Sequence, residues 1–167
     1  SSPSRGLGDV YKRQEHTSRW VREVSKISDE VSINPMNIQK GTIVDRLFRN
    51  REYRPPWLWS LVEMIFRTHA DISNTDCRVI VHPTAGGKTR GSHNCGSCDS
   101  EVVAAIERYS VSGDLREFTG LECDCKKAWH SEIQSDATLP VPMGAGVHRR
   151  GNPVSYTHLT LPTTYHV

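Results

Sequence analysis

An α/β fold is what these 167 residues predict, and three observations predict it. A helical stretch, a short apolar strand, a polar turn and a second helix follow one another between positions 18 and 50. A buried-type strand, CRVIVHP, comes later and runs straight into a glycine-rich, basic loop. Two close pairs of cysteines then stand about two dozen residues apart. Helix, strand, turn, helix is the rhythm of an α/β layer or barrel. The cysteine pairs append a small metal-ligated element to it.

Taken in order, SRWVREVSKI sets Trp20, Val24 and Ile27 at helical spacing, with Thr17 or Ser18 as caps. Val31–Ile33 forms a short strand, and NPMNIQKG carries polar groups into a turn. TIVDRLFRN is a helix with Ile43, Val44 and Leu47 on its apolar side. In YRPPWLWSLVEMIFRTH the second proline suits a first helical turn, where its missing N–H costs nothing. Trp57, Leu58, Leu61, Val62, Ile65 and Phe66 then supply a wide buried face. After the CRVIVHP strand and its loop, SEVVAAIERYS is a helix that Asp99 caps. GDLREFTGL adds a short helical turn, KKAWHSEIQ a last helix, and residues 135–153 read as a flexible tail.

The two ends have a different origin. DVYKRQ near the start and VSYTHL near the end can be encoded by reverse-complementary DNA that matches a sequencing-library transposon end. Residues 1–14 and 154–167 are therefore read as translated adapter and set aside from fold reasoning. The remaining 15–153 is expected to be cut at both ends by the library.

Composition is that of an ordinary soluble chain, 36% hydrophobic and 24% charged. A formal net charge of +2 is too small to argue for nucleic acid alone. No apolar run is long enough to span a bilayer, so no membrane partner is expected. Five cysteines, four in close pairs, fit a reducing cytoplasmic compartment and a metal better than a disulfide framework.

Cys95-x-x-Cys98 and Cys123-x-Cys125 are the strongest local signal. Two short chelating pairs brought together close a tetrahedral thiolate shell, with zinc the first choice and an iron–sulfur cluster the second. Gly96 permits the tight turn between the first two sulfurs. His93 and His130 flank the pairs, and Cys77 stands alone as a core thiol. Lys88, Arg90, Lys126 and Lys127 border the pairs and could hold nucleic-acid phosphates, or simply form a solvated surface. Two tempting motifs fail. The phosphate-loop pattern G-x-x-x-x-G-K-T needs a glycine where His82 stands, and the H-x-E at His130–Glu132 has no cysteine pair after it as zinc deaminases require.

The blocks INPMNIQKGTIVDRLFRNREYRPPWLWSLVE, RGSHNCGSCDSEVVAAIERYSVSGDL and LECDCKKAW, in that order, resemble the C-terminal part of the archaeosine-biosynthesis radical SAM proteins, RaSEA. The resemblance runs from about Val31 to Trp129. It implies the C-terminal units of a radical SAM partial (β/α) barrel over 15–75, and a C-terminal strand with a cysteine-ligated zinc element over 76–134. It also implies a parent enzyme with a 4Fe–4S cluster on CxxxCxxC and S-adenosylmethionine as cofactor. Its substrate would be a lysine-modified 7-deazaguanine in tRNA, supplied by the archaeosine synthase that attaches the lysine. No CxxxCxxC occurs here, so the motif is expected upstream of Glu15 and the fragment is expected to be inert by itself. The alternative is a zinc-stabilised nucleic-acid-binding module. In a barrel, Asn34, Asn37 and Gln39 leave the first strand on the functional C-terminal face and could contact the cofactor. They could equally be a turn that caps the next helix. An incomplete barrel is expected to leave a sheet edge and apolar helix faces uncovered.

Overall fold

The computed structural model describes residues 8–138, with side chains over 16–134. Residues 1–7 of the first adapter-like tail and all of the second, 154–167, lie outside the described residues. Helix α1 (Gly8–Val24) leads into strand β1 (Glu30–Ile33). Helices α2 (Ile43–Arg49) and α3 (Leu58–Ile72) cross over to strand β2 (Arg78–Val81). Helix α4 (Asp99–Ser112), a 3-10 turn at Leu115–Phe118 and helix α5 (Cys125–Thr138) complete the chain. α5 thus runs four residues into the stretch expected to be a flexible tail.

β1 and β2 pair in parallel, with Val31 opposite Val79 and Ile33 opposite Val81. This is the pairing a helical crossover permits. It joins the stretches drawn as 15–75 and 76–134 in one two-stranded sheet over a shared core. Val31, Ile33, Val79 and Val81 point into that core, against Leu58, Ile65, Val102 and Ile106 of α3 and α4. α4 also covers one edge of β2. The Ser110 hydroxyl accepts from the Val81 amide at 2.9 Å, and Arg78 donates to the Ser110 carbonyl at 2.6 Å. Gly113 ends α4 in the left-handed conformation, its N–H on the Tyr109 carbonyl.

Several expected faces are rotated. In α1 the buried side chains are Ser18, Val21 and Val24, whereas Trp20 is 56% exposed and Ile27, beyond the end of the helix, 86%. α1 starts upstream of Thr17 and Ser18, so neither is its cap. In α2 Ile43 is exposed and the buried side chain is Asp45. α3 starts at Leu58, leaving Pro56 outside its first turn, and Phe66 faces solvent. Asp99 is the first residue of α4, and the N-cap position belongs to Cys98.

Asp45 explains its own burial. Its carboxylate accepts from Arg90, from Arg49 at 2.6 Å and from the Gly41 amide at 3.0 Å. Arg90 also donates to the Ile38 carbonyl at 3.0 Å, and the Ile38 amide donates to the Arg90 carbonyl at 2.8 Å. The turn after β1 and the glycine loop after β2 are thereby locked together on the C-terminal side of the sheet. The glycines of that loop serve closeness rather than phosphate binding. A Cβ on Gly91 would lie 2.2 Å from the Ala85 carbonyl oxygen, and one on Gly86 2.8 Å from Val103. Among the described residues no helix is long and apolar enough to cross a membrane.

Two measurements follow. Gly91→Ala forces backbone apart and is expected to cost about 3 kcal/mol or more in denaturant unfolding. Gly96→Ala meets open space at φ +95 and should cost only about 1–2 kcal/mol. The Arg90 hydrogen bond first, then the Gly41 amide, hold the Asp45 carboxyl well below the usual carboxylate range. A depressed carboxyl stabilises the fold above its unfolded pKa of about 3.9, and that contribution is lost as pH falls toward the folded value. The melting temperature is expected to drop below about pH 4, and Asp45→Asn should melt lower at neutral pH with a flatter acid limb.

Candidate metal centre

Four sulfurs from two loops meet at one point. Cys95 lies in the loop before α4 and Cys98 at the N-cap of α4. Cys123 lies just before α5, and Cys125 is its first residue. The Sγ atoms are 3.6 Å apart for Cys95 and Cys123, 3.6 Å for Cys98 and Cys125, and 4.0 Å for Cys95 and Cys98. All four lie within 4.8 Å of one another. Thiolates at the corners of a tetrahedron, ~2.3 Å from a central ion, would sit ~3.8 Å apart. The separations are those of ligands around a single ion, and all five cysteines are free. Four sulfur donors suit a soft or borderline ion such as zinc.

The loop is held by its own backbone. Gly96 at φ +95 turns the chain, and the Asp99 carboxylate accepts from the amides of Asn94 (3.0 Å) and Gly96 (3.1 Å). Asp99 therefore clasps the metal loop, a better use of the side chain than the helix cap expected of it. The environment divides the sulfurs. Cys95 is exposed, and the backbone amides of Cys98 and Ser97 hold its thiol down to about 6. Burial pushes the Cys98 thiol up and the Cys125 thiol up to about 12. A cation coordinated between them would favour the thiolate form of these sulfurs.

Two hydrogen bonds from side chains that are not cysteines reach the Cys98 and Cys125 sulfurs. Trp59 Nε1 donates to Cys125 Sγ at 3.2 Å, and Asn94 Nδ2 donates to Cys98 Sγ at 3.3 Å. Neither residue was singled out from the sequence. Asn94 could have been, because it stands directly before Cys95; Trp59 looks like any core tryptophan of an amphipathic helix.

The other expected site residues fall elsewhere. His93 bonds the Gly91 carbonyl at 2.9 Å, and exposed His130 stacks on Trp129. Glu132 accepts from Trp57 Nε1 at 2.8 Å and pairs with Arg54, which lies 4.0 Å over the Trp57 ring. Glu132 thus ties α5 to Arg54 and Trp57 at the start of α3. Cys77 is buried, away from the group of four. The four basic residues do not make one patch. Arg90 is turned inward onto Asp45, Lys126 pairs with Glu122, Lys127 pairs with Asp124, and Lys88 is exposed. Lys126 also lies 5.2 Å over the Trp59 ring. An open depression beside the sulfurs is lined by Glu122, Cys123, Asp124, Lys126, Lys127 and His130. Asn34 and Asn37 are half-buried and Gln39 exposed in the turn after β1. There Asn34 donates to Ser32 Oγ at 3.2 Å, and the Gln39 carbonyl accepts from Thr42 Oγ1 at 2.8 Å.

Fold and site together define an α/β segment that carries a four-cysteine metal centre. The sequence is similar to archaeosine synthase subunit beta of Methanosarcina acetivorans, 32% identical over 126 residues, which are 75% of this chain and 36% of that protein. It is 37% identical over 122 residues to archaeosine synthase subunit beta of Thermococcus kodakarensis, covering 72% of this chain and 37% of that protein. An uncharacterised protein of Methanocaldococcus jannaschii is 28% identical over 116 residues, 68% of this chain and 31% of that protein. The chain spans about a third of the length of these curated relatives. No protein-family model matches it, and no solved structure does.

Metal binding that is coupled to folding gives a direct expectation. At a metal concentration 1,000 times the dissociation constant the ion adds about 4 kcal/mol of stability. Chelation, or Cys123→Ser, should remove most of that and lower the melting temperature, while Cys77→Ser leaves metal content at one ion per chain. Elemental analysis and thermal melts of the three proteins check it.

Proposed function

We propose that this chain is the C-terminal part of a radical SAM enzyme that modifies tRNA in archaeosine synthesis, with zinc in its four-cysteine centre. The observation that carries the reading is the identity of 32% and 37% with two proteins named archaeosine synthase subunit beta. In this reading the parent enzyme breaks a C–N bond of a lysine-modified 7-deazaguanine in tRNA and leaves the formamidine of archaeosine. The lysine adduct comes from a partner archaeosine synthase. The 4Fe–4S cluster and S-adenosylmethionine supply the radical chemistry of the parent. The chain has no CxxxCxxC of its own and is inert in that step alone. The work is cytoplasmic.

The chain's own residues have supporting roles. The parallel pair β1–β2 is read as the last units of a partial barrel. Asn34, Asn37 and Gln39, beyond the end of β1, are placed by the reading at the mouth that meets the cofactor. Zinc is structural, because four thiolates leave no open position for substrate. Contact with tRNA through Lys88, Lys126 and Lys127 belongs to the same reading as a secondary, salt-sensitive contribution. The adapter reading of 1–14 and 154–167 also stands as a proposal. A free-standing nucleic-acid-binding module has no observation of its own, since acids pair with two of the three lysines.

A chimera tests the assignment. Residues 15–153 replace the matching segment of the Thermococcus kodakarensis protein, and tRNA nucleosides are analysed by mass spectrometry in cells lacking that protein. Archaeosine should be restored to within about tenfold of the unaltered enzyme. Accumulation of the lysine adduct without archaeosine, in a chimera that folds and carries its cluster, would overturn the reading.

A further inference from the structure

α3 begins without a cap of its own. Trp57 occupies the N-cap position and makes no side-chain bond to the first turn. The missing acceptor comes from Asn94, thirty-five residues along the chain, whose Oδ1 accepts the Trp59 amide at 3.2 Å. The same Asn94 amide group donates its Nδ2 to Cys98. Trp59 in turn donates its indole Nε1 to Cys125. Cys98 and Cys125 are themselves 3.6 Å apart. The result is a closed ring of four residues: Cys98, Asn94, Trp59 and Cys125. Asn94, Trp59 and Cys98 are at most 6% exposed, and Cys125 is half-buried. An amide and an indole N–H aimed at sulfur in such a sheltered site stabilise the thiolate and fix its lone-pair direction.

Building on the metal-centre reading, we propose that Asn94 and Trp59 are positioning residues of that centre, which orient the Cys98 and Cys125 sulfurs and tie them to the N-terminus of α3. Cys98 is buried and Cys125 half-buried, while Cys95 is the exposed member of the group. Neither residue touches the ion. Each acts through the sulfur it bonds.

The full chain is loaded with zinc and, separately, with cobalt(II), as are Trp59→Phe, Asn94→Ala and Trp57→Phe. Phenylalanine keeps most of the ring packing and removes only the N–H donor. Trp57 serves as control because its indole bonds Glu132 rather than sulfur. Zinc affinity is read by competition with a chromophoric chelator. The thiolate-to-cobalt absorption bands report the sulfurs directly. Trp59→Phe and Asn94→Ala are expected to weaken zinc by about tenfold or more and to shift the cobalt bands, with Trp57→Phe unchanged in both. If Asn94→Ala fails to fold, Trp59→Phe alone decides. Parental affinity and bands in Trp59→Phe would overturn the positioning role, as would an equal shift in Trp57→Phe. A parent chain that takes up neither metal overturns the metal centre itself.

Discussion

Four sulfurs within 4.8 Å of one another impose the strongest local constraint in this molecule. Four thiolates at that spacing repel, and partial or full burial makes charge costly on two of them, Cys125 and Cys98. A divalent ion at the centre reverses the sign of the problem and makes the closest approach the most stable one. The consequence is architectural. α4 starts at the centre through Cys98 and α5 through Cys125, while α3 is joined to it through Trp59. The starts of three helices are thereby tied to the place where the four sulfurs meet, which is where a helix dipole favours negative charge. α5 has modest apolar anchors of its own in Trp129 and Ile133. The Trp129 indole on Ser60 at 2.9 Å and the Glu132 contact with Trp57 extend along α3 the alignment that begins at the sulfurs.

The glycine loop carries that rigidity to the other active-looking end of the sheet. Cys95 is continuous with residues 82–94, and Arg90 in that loop is bound to Asp45 and Ile38 beyond β1. Close approach of Gly91 to the Ala85 carbonyl keeps the loop folded on itself. The amide-bearing turn with Asn34, Asn37 and Gln39 thus connects to the metal centre by a short path of backbone and one buried ion pair. An ion held by the four cysteines would therefore limit how the turn after β1 can move.

What the sequence made legible follows from how local each constraint is. The cysteine pairs were readable because one ion needs two ligands from each short loop, so the spacing itself encodes the chemistry. Both strands were readable as apolar runs, and β1 and β2 appear where Val31–Ile33 and the CRVIVHP run lie. Helical periodicity, by contrast, fixes angular spacing and not which side faces the core. Trp20 and Ile27 share a face with Val24, yet the packed side is that of Val21 and Val24. The inward turn of Asp45 depends on Arg90, forty-five residues later, and no window along α2 contains that information. Asn94 and Trp59 were missed for the same reason. Their significance lies in bonds across 35 and 66 residues.

The charge around the four cysteines also bears on how this face would meet an anion. Four thiolates around a divalent ion leave a net charge of about −2. Glu122 and Asp124 add two more negative groups beside it, and Lys126 and Lys127 are the pairs of those acids. Lys126 further lies over the Trp59 ring that bonds Cys125, which places its positive charge next to the sulfurs. The basic rim is therefore used first to neutralise its own surroundings. A phosphate approaching the depression would meet compensated lysines and an anionic centre, whose combined field is not attractive. The four cysteines and their loops therefore act on this segment through rigidity, by joining the starts of α4 and α5 and reaching α3 through Trp59, rather than by capturing an anion.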